Sequence, residues 1–321
     1  MSLKHAHAHH HPERAHGSER GDLTRRAAIA SITMALFLVA LKVWASIETG
    51  SVAMLGSLAD TVLDLVASMV TFLGVRWAAM PADAEHRFGH GKAEALAALV
   101  QVILITISAL GIGWRAIDRF QSGAGTEGLE LGIGVSLVAM AATLALLTYQ
   151  RYVIRRTGSV AIHTDHVHYQ SDLLLNVAVI AALALDQMLG WQLADPLFGL
   201  GIALWLLYNA WSAASHSVDQ LMDREWPETE REAFLDAAKE YPELAGLHDL
   251  RTRHSGSHRF VQFHVWVPPE WTVKQAHDSL ERVEHELCDR FPATEIIIHL
   301  DPEGHTDREG ILSPDLTERA R

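Results

Sequence analysis

The chain predicts a membrane all-α bundle of six helices followed by a cytosolic α+β domain of order α-β-β-α-β. Three observations carry that expectation. Residues 26–222 hold six long apolar runs with few charges, and roughly 20 such residues are what a helix needs to cross a bilayer. Turn residues and charges bound each run. From 226 to 303 the apolar residues instead recur in short stretches, at period two in some and at helical period in others, the marks of strands and surface helices. The averages hide this division, since 49% hydrophobic residues and a net charge of −13 over 321 residues suit a soluble protein.

The elements follow in order. Residues 1–25 carry HAHAHHH and little that forms a core, so they are expected to be disordered; such a tract binds metal loosely in any context. The first run covers 26–48, and Thr49-Gly50-Ser51 turns it into a second, which Met80-Pro81 stops. The polar loop PADAEHRFGHGKAE follows. The third run spans 95–120 and ends in QSGAGTEG, the fourth 129–152, and the fifth 159–188. Asp195-Pro196 reads as an N-cap and first helical residue for the sixth, which ends near 221.

In the tail, 227–240 reads as a helix, and strands at 247–253 and 259–268 turn at Ser255-Gly256-Ser257. Val261, Phe263, Val265 and Val267 alternate with polar partners, as in a half-buried strand. Thr272 and Gln275 form a capping box for a helix with the apolar stripe Val273, Ala276, Leu280, Val283 and Leu287. Residues 295–300 supply the last strand, and everything after 304 is expected to be a disordered end.

Charge sets orientation and excludes some functions. Basic residues gather at Arg25, Arg26, Arg87, Lys92, Arg151, Arg155, Arg156 and Arg224. The opposite loops hold Glu48, Glu127, Glu130, Asp186 and Asp195, with Arg115 and Arg119 as exceptions. Positive charge stays on the cytoplasmic side, so both termini are expected there. The acidic balance argues against nucleic acid. The single cysteine, Cys288, allows no internal disulfide and reads as a packing residue. No signal peptide is evident, because the first apolar run is too long for one.

An ionisable side chain inside a span is costly and therefore marks function. Asp60 and Asp64 in the second run, and His168 and Asp172 in the fifth, are each four apart, so each pair shares one helix face. Packed together, the two helices would bring three carboxylates and one imidazole to a point, a four-ligand set that suits zinc. Manganese, ferrous iron, cobalt and cadmium fit the same ligand types. The alternative, that these groups only glue helices together, does not account for two pairs of equal spacing. Because metal ligands must lose their protons to bind, metal and protons compete for the site, which points to exchange of outgoing metal for incoming protons. Two other readings stand beside transport: a metal-sensing scaffold without flux, and an intramembrane metallohydrolase. The latter would need an open metal position and a spare base, and the sequence offers neither an HExxH motif nor another carboxylate for it. His163, Asp165 and His166, near the start of the fifth run, read as solvated helix-end groups or as groups that attract metal, and Lys42 as one that snorkels or pairs inside the bundle.

The DxxxD and HxxxD pairs, the loop PADAEHRFGHGKAE and the tail segments HDLRTR and IIIHLD together resemble the cation diffusion facilitator family, in its bacterial zinc and ferrous-iron efflux branch, over about 20–302. The resemblance implies a homodimer in the bacterial inner membrane, a metallochaperone-like cytosolic domain and alternating access. It implies Asp60, Asp64, His168 and Asp172 as the transport site. It further implies a loop site of Asp83, His86 and His90, and a tail site of His248, His264, His277, His299 and Asp301. Lys92 and Asp223 match an ion pair between protomers.

Overall fold

The computed structural model describes residues 13–49, 52–122, 133–189, 193–256 and 258–304. The expected disorder of residues 1–12 and 305–321 lies outside the described residues. Six long helices come first: α1 (Glu13–Thr49), α2 (Val52–Ala78), α3 (Ala93–Ser122), α4 (Ile133–Thr157), α5 (Val160–Leu189) and α6 (Ala194–Leu221). Helix α1 already begins at Glu13, inside the segment expected to be disordered. Helix α6 begins one residue before the expected cap.

Five of the six helices are long and apolar enough to cross a membrane among the described residues, with windows at Arg20–Ala45, Thr61–Ala78, Ala93–Gln121, Leu137–Thr157 and Pro196–Leu221. Helix α5 is not among them. It is 30 residues long and carries His163, Asp165, His166, His168 and Asp172 in its first half.

The outer surface of the helical unit Gly21–Leu221 is apolar, with Leu36, Ile103, Ile107, Leu110, Leu204 and Trp211 exposed. Its interior is built from small residues. Ala27 and Ala28 of α1, Val75 of α2, Val153 of α4, and Ala161 and Ile162 of α5 form one buried cluster. Ile105 and Ala109 of α3, Val167 of α5, and Leu206 and Ala210 of α6 form another. Small side chains let helix backbones approach closely, which is how bundles in lipid gain packing energy. Lys42 does pair inside the bundle: its Nζ donates to Thr61 Oγ1 of α2 at 2.5 Å.

The tail unit, from Met222 on, contains α7 (Glu228–Ala238), a short 3-10 turn at Pro242–Leu244, β1 (His248–Ser255), β2 (His258–Val267), α8 (Val273–Arg290) and β3 (Thr294–Pro302). The sheet order is β1-β2-β3, with β1 antiparallel and β3 parallel to β2. The α+β order agrees with expectation. Val261, Phe263 and Val265 of β2 share one core with Leu280, Val283 and Leu287 of α8 and Phe234 of α7. The capping box forms, with Thr272 Oγ1 accepting from Gln275 N and Gln275 Oε1 accepting from Thr272 N. Val273 departs from the expected stripe: it sits in the first position of α8 and is 85% exposed.

One backbone position in this unit is demanding. Gly246 has φ of +76°, and a Cβ there would lie 2.6 Å from Trp266 Cε3. Gly246→Ala is therefore expected to destabilise the tail by about 1–3 kcal/mol, through the left-handed backbone and the displaced indole together. Chemical denaturation followed by amide protection in β2 measures this, and an unchanged midpoint would refute it.

Candidate metal centres

In the helical unit, α2 and α5 bring their ionisable faces together. His168 Nε2 lies 3.1 Å from Asp64 Oδ1 and 4.0 Å from Asp172 Oδ2. One ligand atom from each of these three residues falls within 4.8 Å of the others, and the imidazole is buried. The four-residue spacing sets this up, since one helical turn stacks His168 over Asp172 on a single face. Asp60 occupies α2 one turn before Asp64, but its side chain lies outside the described residues. Ser68 and Asn176, one turn further along α2 and α5, take other roles. Ser68 Oγ is 2.9 Å from the Tyr169 hydroxyl, and Asn176 Nδ2 donates to Asp172 O of its own helix.

Between α2 and α3 the loop folds around Asp83. Its Oδ1 accepts the backbone N–H of Glu85 at 2.9 Å and of His86 at 2.7 Å. His86 Nδ1 stands 3.3 Å from Oδ1 and His90 Nε2 3.4 Å from Oδ2, with the two rings 4.5 Å apart. Gly89, at φ of +77°, supplies the reversal that turns His90 back toward Asp83. The His86 N–H bond holds the Asp83 carboxyl below its usual range; desolvation opposes this, and the Glu85 N–H and the His86 ring assist it. A carboxylate that stays ionised between two imidazoles is a ready nitrogen and oxygen donor set for a transition metal.

The tail holds a third grouping, and strand register builds it. His248 of β1 pairs with His264 of β2, which pairs with His299 of β3, so three imidazoles line up across the sheet. Asp301 shares the face of His299 two residues on. Its Oδ2 is 2.8 Å from His264 Nδ1 and 3.3 Å from His248 Nε2, while Oδ1 is 3.4 Å from His299 Nε2. Asp301 is only 4% exposed. Burial pushes its carboxyl up, yet the His264 hydrogen bond and the His264, His299 and His248 rings outweigh that, and it titrates below the ordinary carboxylate range. His277 does not join this group. It projects from α8 with its side chain 68% exposed, 3.9 Å from Glu281. Asp249 comes near instead: its Oδ2 is 3.6 Å from His264 Nε2, from a backbone at φ of +49°, although Arg251 Nη2 holds the same oxygen at 2.8 Å. Its place directly after His248 in HDLRTR was the available signal.

Reading residues in the first turns of α5 as solvated fails for one of them. Asp165 is 0% exposed, enclosed by Gln101 and Gln150. A carboxylate near a helix start looks alike in sequence whether the neighbouring helices cover it or not.

Comparison with known proteins matches two profiles to this chain: the cation efflux transmembrane domain over residues 28–222, and the cation efflux protein cytoplasmic domain over 226–303. The cation-efflux pump FieF of Salmonella arizonae is 43% identical over 289 residues, covering 90% of this chain and 96% of the relative. FieF of Salmonella newport is 42% identical over 290 residues, with the same coverage of both chains. A solved chain of CzrB in its zinc form is 32% identical, covers 27% of this chain and 99% of its own, and gives a TM-score of 0.25.

Proposed function

Because this chain belongs to the cation efflux (cation diffusion facilitator) family, we propose that it exports Zn2+ from the cytosol in exchange for protons, through the site shared by α2 and α5. It is a multi-pass membrane transporter of divalent transition-metal cations and not an enzyme. The single observation that supports the finer reading is the position of His168 Nε2, 3.1 Å from Asp64 Oδ1 with Asp172 beside it. A neutral imidazole nitrogen can ligate a metal, and the same nitrogen when protonated donates to Asp64. One atom thus holds either a proton or a metal, which makes their exchange obligatory at that position.

With Asp60 completing the set, three carboxylates and an imidazole match the tetrahedral preference and nitrogen/oxygen affinity of zinc. The same ligands accept Fe2+, Cd2+, Mn2+ or Co2+ with affinities set by geometry. In this reading all six helices span the inner membrane of a bacterium, and both termini face the cytoplasm. Residues 26–222 form the transport domain and 226–303 a cytosolic domain that pairs two copies of the chain as a homodimer, the cytoplasmic profile being that of a dimerising unit. Asp83, His86 and His90, and His248, His264, His299 and Asp301, with His277 approaching in the assembled dimer, bind Zn2+ to stabilise or regulate that dimer, with no part in the transport step.

Proteoliposomes test the coupling. An imposed proton gradient is expected to drive Zn2+ in the opposite direction, and reversing the gradient to reverse the flux. Zn2+ flux indifferent to the gradient would overturn the exchange.

A further inference from the structure

Asp165 stands three residues before His168 on α5 and is fully buried. Each of its oxygens is held by an amide from a different helix. Gln101 Nε2 of α3 donates to Oδ1 at 3.1 Å, and Gln150 Nε2 of α4 donates to Oδ2 at 2.8 Å. The Gln150 amide also donates to Ser31 Oγ of α1 at 3.0 Å. The two hydrogens of Gln101 Nε2 are shared with Ala67 O of α2, 3.2 Å away, and with Thr71 Oγ1. Gln101 Oε1, itself buried, has no hydrogen-bond partner among the described residues. The glutamine is thus turned so that its N–H groups serve the acceptors at the expense of its own oxygen, an orientation that costs free energy unless the acceptor demands it.

One N–H donor on each carboxyl oxygen favours the anion over the acid and works against the cost of burial. All of these donors are neutral. An anion kept in a bilayer interior by neutral groups is expensive, and a cation nearby offsets the cost. The next turn of the same helix carries His168, and residues three apart on a helix are neighbours, about 5–6 Å between Cβ atoms.

We propose that Asp165 is a positioning residue of the metal centre: a fixed outer anion that ties α5 to α3 and α4 and whose charge strengthens divalent-cation binding at His168 and Asp172. This rests on the transport-site reading above. The charge acts without contact, because Coulomb interactions in a poorly screened interior remain strong over several ångströms and double for a divalent ion.

The test is Zn2+ flux by the full chain in proteoliposomes, read as KM and maximal rate. Asp165→Asn keeps volume, and its hydrogen bonds once the Gln101 amide turns its unpartnered Oε1 toward the new N–H, but removes the charge; it is expected to raise KM about tenfold with a smaller change in maximal rate. Asp165→Glu keeps the charge and is expected to hold KM within about threefold. A purely structural role predicts the reverse order, with Asn harmless and the extra methylene of Glu disruptive. An unchanged KM in Asp165→Asn, or an equal rise in Asp165→Glu, overturns the proposal. Should Asp165→Asn fail to fold, Gln150→Lys sets an ammonium against Oδ2 and is expected to give the same rise; an unchanged KM there also overturns it. His168→Ala in the same vesicles separates the two levels. Full flux in His168→Ala would refute the metal centre itself, whereas its loss beside an unaffected Asp165→Asn refutes only the role of Asp165.

Discussion

His168→Ala is expected to lower Zn2+ flux by at least about 100-fold while leaving the protein folded, since removal even of a group that merely supports a metal ligand costs about 10–100-fold. The size of the effect follows from where the imidazole sits. It is the only nitrogen donor between Asp64 and Asp172, 3.1 Å from one and 4.0 Å from the other among the described residues. Without it the carboxylates lose both their metal partner and their proton-bearing neighbour, and two anions face each other in a poorly screened interior. Asp64→Ala should act in the same direction. Asp83→Ala and Asp301→Ala should retain most of the flux, because their clusters lie in the loop and the tail. Flux assays on the four variants check this, and a His168→Ala protein that transports at the native rate would remove α5 from the pathway.

Phe234→Ala is expected to destabilise the tail unit by about 3–5 kcal/mol, the range for truncating a fully buried aromatic ring. Phe234 is wholly buried, and its ring meets Trp226, Phe263 and Phe291 at centroid distances of 6.2, 5.9 and 5.3 Å. No neighbour can collapse into that space without abandoning another ring, so the cavity persists. Denaturant unfolding monitored by amide protection of β2 and α8 measures the loss. A change below about 1 kcal/mol would mean that the core relaxes around the gap, contrary to the packing. Transport chemistry in the helical unit should survive this substitution better than it survives His168→Ala.

Much of this architecture was legible because the governing signals are local. Apolar runs of span length, Pro81 at the end of one, the alternation of Val261, Phe263 and Val265, and the Thr272–Gln275 box each act within a few residues; the expected turn at Gly50-Ser51 lies outside the described residues. Where tertiary neighbours decide, the sequence was less informative. Val273 belongs to a helical stripe by spacing but stands at a helix start, where the wheel no longer faces the sheet. The joining of His248, His264 and His299 depends on strand register, as does the exclusion of His277. Asp165 was misread for the same reason: the groups that bury it, Gln101 and Gln150, come from α3 and α4. The pairs in α2 and α5 stood out because identical four-residue spacing in two apolar runs is itself a local signal, and Asp64, His168 and Asp172 do come together.

The account turns on one position between α2 and α5, and locating bound zinc there is its most direct test. Anomalous scattering at the zinc edge from crystals of the full chain should show a peak within ligand distance, about 2.0–2.2 Å, of Asp64 and Asp172 oxygens and His168 Nε2. That peak should vanish in Asp64→Ala crystals while those at the loop and tail clusters remain. Zinc at the loop and tail alone, with nothing between α2 and α5 at saturating concentration, would contradict the account.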